Sequence, residues 1–158
     1  MLIADGRVPR PSPDFAIQTV GGPPIQLKQY RGKVVALVFI LTTCPHCQHT
    51  ISVLAKIQND YGPRGFQALA SAVEQEASAH VPDFIAHFHP SFPVGFNELD
   101  AAFEYLRHPR MLRTLMPQLV FIDSKGVVRA QYRGEDAFFS GDQEKNIRQQ
   151  VEKLLPRH

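Results

Sequence analysis

Apolar residues run without a break from Val34 to Leu41, with β-branched types prominent, and such a run predicts a strand buried on both faces. After Thr42 and Thr43 the period changes. Cys47, Ile51, Leu54, Ala55 and Gln58 share one helical face that Val53 and Ile57 broaden, which predicts a helix to about residue 61, stopped by Gly62-Pro63. Cys44 is then the N-cap and Pro45 the first helical residue. A second strand is predicted over 66–73 and a second helix over 78–88, where Val81, Phe84, Ile85 and Phe88 recur at helical spacing. Phe92-Pro93-Val94 reads as a short extended piece. Asn97 is positioned to cap a third helix running through Arg107, with Glu98 and Asp100 in its first turn.

Residues 1–13 hold Pro9, Pro11 and Pro13 and suit an extended arm. Phe15 and Ile17 alternate before Gly21-Gly22-Pro23-Pro24, so 14–27 predicts a hairpin. Near the C-terminus, Gln118 to Asp123 is a strand, Ser124-Lys125-Gly126 a tight turn and Val127 to Tyr132 the returning strand. A final helix is expected over 141–155, opened by a Ser140/Gln143 capping box and striped by Ile147, Val151, Leu154 and Leu155. This order describes an α/β sandwich, and without an internal repeat or linker it predicts one domain over 1–158.

Composition narrows the function. A chain of 158 residues with 44% hydrophobic and 20% charged residues can bury a full core, so no staple is needed. Its net charge of +2 is too mild to imply nucleic acid, and no basic stripe carries interleaved aromatics. Residues 1–13 show no charged segment followed by an apolar run, hence no signal peptide or membrane span is visible.

Only two cysteines are present, and they sit three residues apart in Cys44-Pro45-His46-Cys47. A disulfide closing so small a loop restricts the unfolded chain little, so reactivity explains the pair better than stability. The bland alternative is a structural disulfide or two inert thiols. Thiol–disulfide exchange needs an accessible thiolate and a second thiol close enough to resolve the mixed disulfide. Cys44 at the helix N-terminus is the expected nucleophile and Cys47, one turn in, the resolver. Pro45 preorganises the turn, and His46 beside it is expected to lower the Cys44 pKa further, which stabilises the reduced form and makes the disulfide more oxidising. His49 is expected on the surface. Arg107, Arg110 and Arg113 either steer acidic partners or form a solvated helix end, and Phe138-Phe139 is either a docking patch or packed on the sheet.

The buried strand, the Cys-Pro-His-Cys helix start and the later Met116-Pro117-Gln118-Leu119-Val120-Phe121-Ile122 resemble the thioredoxin-like superfamily. The hairpin over 14–27 and the helix and extended piece between the two halves resemble its TlpA/ResA-like, or redoxin, branch, and the resemblance covers about residues 12–156. It implies a three-layer α/β/α sandwich with an N-terminal hairpin and a central α/β insertion. It also implies that Pro117 is cis and packed against the cysteines, with Thr43, Met116 and Pro117 contacting the substrate. The Cys-Pro-His-Cys tetrapeptide resembles that of DsbA-like oxidases, which places the expected chemistry on the oxidising side, acting on protein thiols with an unidentified redox partner and no cofactor. An extracytoplasmic location, in a bacterial periplasm or cell envelope, is implied, with a cytoplasmic one as the alternative. Thioredoxin has a Trp before its first cysteine and a buried acid in the preceding strand, where this chain has Thr43 and Val38.

Other functions weighed are a reducing TlpA/ResA-like protein acting on one partner and a thioredoxin-fold copper chaperone using Cys44, Cys47 and a histidine such as His46, His87, His89 or His108. A zinc site lacks a second ligand pair, so no metal is expected. Covalent haem attachment needs His at position 48, which is Gln, and a peroxiredoxin signature needs Pro and Thr where Leu37 and Leu41 stand.

Overall fold

A computed structural model describes residues 7–109 and 115–156. In chain order the elements are β1 (Arg10–Pro11), β2 (Ala16–Ile17), β3 (Ile25–Gln26), β4 (Val34–Ile40), α1 (Pro45–Tyr61), β5 (Phe66–Ala72), α2 (Ala77–Phe88), β6 (Val94–Phe96), α3 (Leu99–Leu106), β7 (Gln118–Ile122), β8 (Val127–Tyr132), α4 (Ala137–Ser140) and α5 (Gln143–Leu154). Six strands form one sheet in the order β1-β8-β7-β4-β5-β6. Within it β4, β5 and β6 run parallel, whereas β7, β8 and β1 pair antiparallel.

Every residue of β4 is buried because the strand has partners on both edges and cover on both faces: Leu37 lies opposite Leu69 of β5 and Val120 of β7. Alternate side chains enter two different cores. Val34, Ala36, Val38 and Ile40 join Cys47, Ile51, Leu54 and Ile57 of α1 and Ile147 and Val151 of α5. Val35, Leu37 and Phe39 join Ile17, Leu27 and Ala102, Tyr105 and Leu106 of α3. Each large side chain so enclosed contributes about 1.5–3 kcal/mol, so the unbroken apolar run is an advantage only in this two-sided setting. The result is the expected α/β sandwich, with the predicted hairpin formed by Ala16 opposite Gln26 and Ile17 opposite Ile25.

Three local expectations are corrected. Asn97 does not cap α3, whose N-cap is Glu98; instead its buried amide donates to the Ala16 carbonyl at 2.8 Å and accepts from Ser71 Oγ at 2.7 Å, tying the hairpin to the sheet. The last helix forms as α5 but is capped by Asp142, which accepts from the Lys145 N–H, while Ser140 ends the separate short α4 and donates to the Ala137 carbonyl. Part of the supposed arm belongs to the sheet, since Arg10 and Pro11 pair with Val128 and Val127. Residues 1–6 lie outside the described residues. For Asn97 and for Arg10–Pro11 a distant partner selected between local uses, whereas the cap of α5 was decided between two neighbouring short polar side chains.

Candidate active site

Both cysteines are free thiols at the start of α1. Cys44 has the extended backbone of an N-cap, its sulfur accepts the Cys47 N–H at 3.4 Å, its carbonyl accepts the Gln48 N–H at 2.9 Å, and Pro45 occupies the first turn without an N–H to satisfy. The helical step that leaves Cys44 half-buried turns Cys47 fully into the core. Burial pushes the Cys47 thiol up; the N–H of Leu41 opposes this, and the neighbouring Cys44 and Glu74 reinforce it.

The register of β7 against β4, with Gln118 opposite Phe39, delivers Met116 and Pro117 to the same place. The Cys44 sulfur lies 4.0 Å from the Met116 carbonyl oxygen, and the Met116–Pro117 bond is cis, as the resemblance implies. Pro117 is buried, Met116 packs against both cores, and Thr43 and Leu115 are exposed. The Gly134 N–H donates to the Leu115 carbonyl at 3.0 Å and holds this segment from β8's end. Beside Thr43 a groove of about 430 Å³ opens between the turn and α2, lined by Thr42, His80, Phe84 and Phe88 among others.

His46 packs edge-on against Phe139 at 5.4 Å, and His49 is exposed. Phe139 is buried and Phe138 stacks on Tyr132 at 3.8 Å, so this pair is packed on the sheet rather than offered as a docking patch. Arg107 ends α3 in a left-handed conformation, and Arg110 and Arg113 lie outside the described residues. Among the described residues no group of three His, Cys, Asp or Glu is arranged to hold a metal, and no helix is long and apolar enough to cross a membrane.

Two supports of the site lie outside its sequence motifs. Glu74 accepts hydrogen bonds from both the N–H and the hydroxyl of Thr42 and meets His80 Nδ1 at 2.6 Å. Burial pushes its carboxyl up, but the two Thr42 donors and His80 outweigh that and hold it below the ordinary glutamate value. The parallel register, Ile40 opposite Ala72, was the signal that could have found it, because two residues further on it sets Thr42 beside Glu74. A second support is the wholly buried Thr50 on α1, whose hydroxyl donates to Gln143 Oε1 at 2.8 Å.

A family model described as Redoxin matches residues 8–150. The chain belongs to the Redoxin family. This redoxin is similar to the thiol-disulfide oxidoreductase ResA of Bacillus thuringiensis subsp. konkukian (strain 97-27), 26% identical over 124 residues that make up 78% of this chain and 68% of that protein. ResA of Geobacillus thermodenitrificans (strain NG80-2) is 27% identical over 146 residues, 92% of this chain and 76% of that protein. In fold it is similar to a thiol:disulfide interchange protein of the thioredoxin family from Chlorobium tepidum TLS, with a TM-score of 0.77 and 23% identity over 95% of this chain and 99% of that one. A putative thiol:disulfide interchange protein DsbE from Chlorobium tepidum gives a TM-score of 0.74 and 23% identity over 90% of this chain and 96% of that one. Family, fold and the Cys44/Cys47 pair together identify a thiol-disulfide oxidoreductase of the thioredoxin-like, TlpA/ResA-like branch.

Proposed function

We propose that this redoxin donates a disulfide to the thiols of partner proteins, with Cys44 as the sulfur that is attacked and Cys47 as the one released. The difference in exposure between two sulfurs one helical turn apart carries the reading: a partner's thiolate can reach Cys44 but not the enclosed Cys47. A substrate thiolate attacks Cys44 of the oxidised pair, an S–S bond forms between the proteins, and Cys47 leaves as a thiol after taking a proton. A second substrate thiolate then attacks the mixed disulfide and frees Cys44. Two electrons and two protons pass to the redoxin, which a disulfide-bearing redox partner must remove to complete the cycle.

The oxidising reading rests on the place of Cys44 at the N-terminus of α1, where the Cys47 N–H is donated to its sulfur and Pro45 preorganises the turn. Whatever stabilises the reduced pair makes the oxidised pair a stronger oxidant. Thr43, Met116 and Pro117 form the substrate platform, with the Met116 carbonyl nearest the reacting sulfur. An extracytoplasmic compartment suits such a donor, since its products persist only where disulfides are not reduced.

Equilibration with glutathione tests the direction. A potential nearer the roughly −120 mV of DsbA than the roughly −270 mV of thioredoxin is expected. A thioredoxin-like value overturns the oxidising direction and assigns the same site to reduction of a specific partner disulfide.

A further inference from the structure

In the turn between β4 and α1, Leu41 meets both cysteines and Thr42 beside it is fixed on every side. The carbonyl of Leu41 accepts the Cys44 N–H at 3.2 Å, and its N–H is directed at the Cys47 sulfur. Thr42, the next residue, is buried and held at all three of its polar atoms. Its N–H and hydroxyl are taken by the two oxygens of Glu74, and its carbonyl by the Gln48 side chain at 2.9 Å. Glu74 is itself anchored twice: it follows β5, where the Val73 N–H bonds the Ile40 carbonyl at 3.0 Å, and it pairs with His80 of α2.

We propose that Glu74 is a positioning residue of the disulfide-exchange site, acting through Thr42 to hold the turn that sets both sulfurs against the start of α1. Two charge-assisted bonds from one carboxylate to one residue fix that residue's backbone and side chain together. Thr42 cannot shift without moving Leu41, and Leu41 bears contacts of both Cys44 and Cys47. The inference rests on the reading of Cys44 as the reacting sulfur and adds what keeps it in place.

Glu74 also places a negative charge near the pair, and the two effects have opposite signs. Its charge disfavours a thiolate, whereas its grip on Thr42 keeps the Cys44 sulfur where the helix N-terminus favours one. Variants separate them. The rate of Cys44 alkylation by iodoacetamide at pH 7 and the reduction potential are measured in Glu74→Ala, Thr42→Val, the double variant and Thr42→Ser. If Glu74 acts through Thr42, Glu74→Ala and Thr42→Val each slow alkylation about threefold or more, the size of one lost hydrogen bond, and lower the potential. The double variant is then no slower than the worse single one, and Thr42→Ser, which keeps the hydroxyl, behaves as wild type.

Additive losses, or a Glu74→Ala variant that reacts as fast as wild type or faster, overturn the proposal. Should Glu74→Ala not fold, the comparison of Thr42→Val with Thr42→Ser carries the same test with the carboxylate in place. A wild-type protein in which Cys44 is alkylated no faster than Cys47 would instead sink the assignment of the reacting sulfur. Normal wild-type asymmetry with unaffected variants removes only the role of Glu74.

Discussion

Cys47 donates its backbone N–H to the sulfur of Cys44 at 3.4 Å, yet Cys47 is wholly buried while Cys44 is only half-buried. One helical turn separates a half-buried N-cap from a core position, so a single local geometry divides the two roles of an exchange reaction.

That division predicts unequal reactivity. In the native reduced protein, iodoacetamide is expected to modify Cys44 alone at neutral pH, with Cys47 labelled only after denaturation, as peptide mass mapping would report. Cys47→Ser should accumulate a mixed disulfide with a dithiol substrate, and Cys44→Ser should form none. Equal labelling of both cysteines contradicts the assignment.

His46 lies between the cysteines and packs against Phe139. If its imidazole favours the Cys44 thiolate, His46→Ala lowers the reduction potential by about 30 mV or more, equivalent to roughly 1.4 kcal/mol for the two-electron couple. An unchanged potential assigns His46 to packing only.

Thr50 and Gln143 join α1 to α5 through a buried hydrogen bond of 2.8 Å. Thr50→Val leaves the Gln143 amide oxygen without that donor and is expected to cost about 1–3 kcal/mol in urea unfolding. Thr50→Val combined with Gln143→Leu should recover part of the loss, since neither polar group is then stranded.

Gly134 sits where a side chain has no room: an added Cβ would lie 2.6 Å from the Leu115 oxygen and 2.8 Å from that of Met116. Gly134→Ala is therefore expected to destabilise by about 1–3 kcal/mol and to displace the segment that precedes Pro117. Exchange with a protein substrate should slow while alkylation of Cys44 by a small reagent stays near wild type, because the start of α1 is untouched. Equal losses in both assays would mean that the two segments move together.

Acid should weaken the fold through two carboxyls. Glu74 is held low by Thr42 and His80 against the upward push of burial; in Asp123 burial likewise pushes up, and the N–H groups of Val127 and Lys125 with the Arg129 side chain prevail. Both bind a proton less readily folded than unfolded, so the stability they supply is present above their ordinary values near pH 4 and is lost as pH falls through the lower folded ones. Thermal unfolding at pH 7, 5 and 3 should show the loss below about pH 4, and Glu74→Gln and Asp123→Asn should each flatten it.

Features whose causes are local could be read directly from the order of residues. An unbroken apolar run from Val34 required cover on both faces, and Cys44-Pro45 before a helical stripe required an N-cap and a first turn, so the buried strand and the reacting pair were legible. Met116 and Pro117 were reached only through a family resemblance, because their approach to Cys44 across 72 positions depends on β7 pairing with β4. Glu74 was not legible: its partner Thr42 is 32 positions away, and only the parallel register of β4 and β5 sets them side by side. Asn97 could have capped a helix and the Gln143 side chain could have closed a capping box, and buried partners on Ser71 and Thr50 took those side chains instead. A short polar side chain satisfies a cap and a buried partner about equally well in isolation. Which one it meets is decided by what the packed sheet leaves unsatisfied.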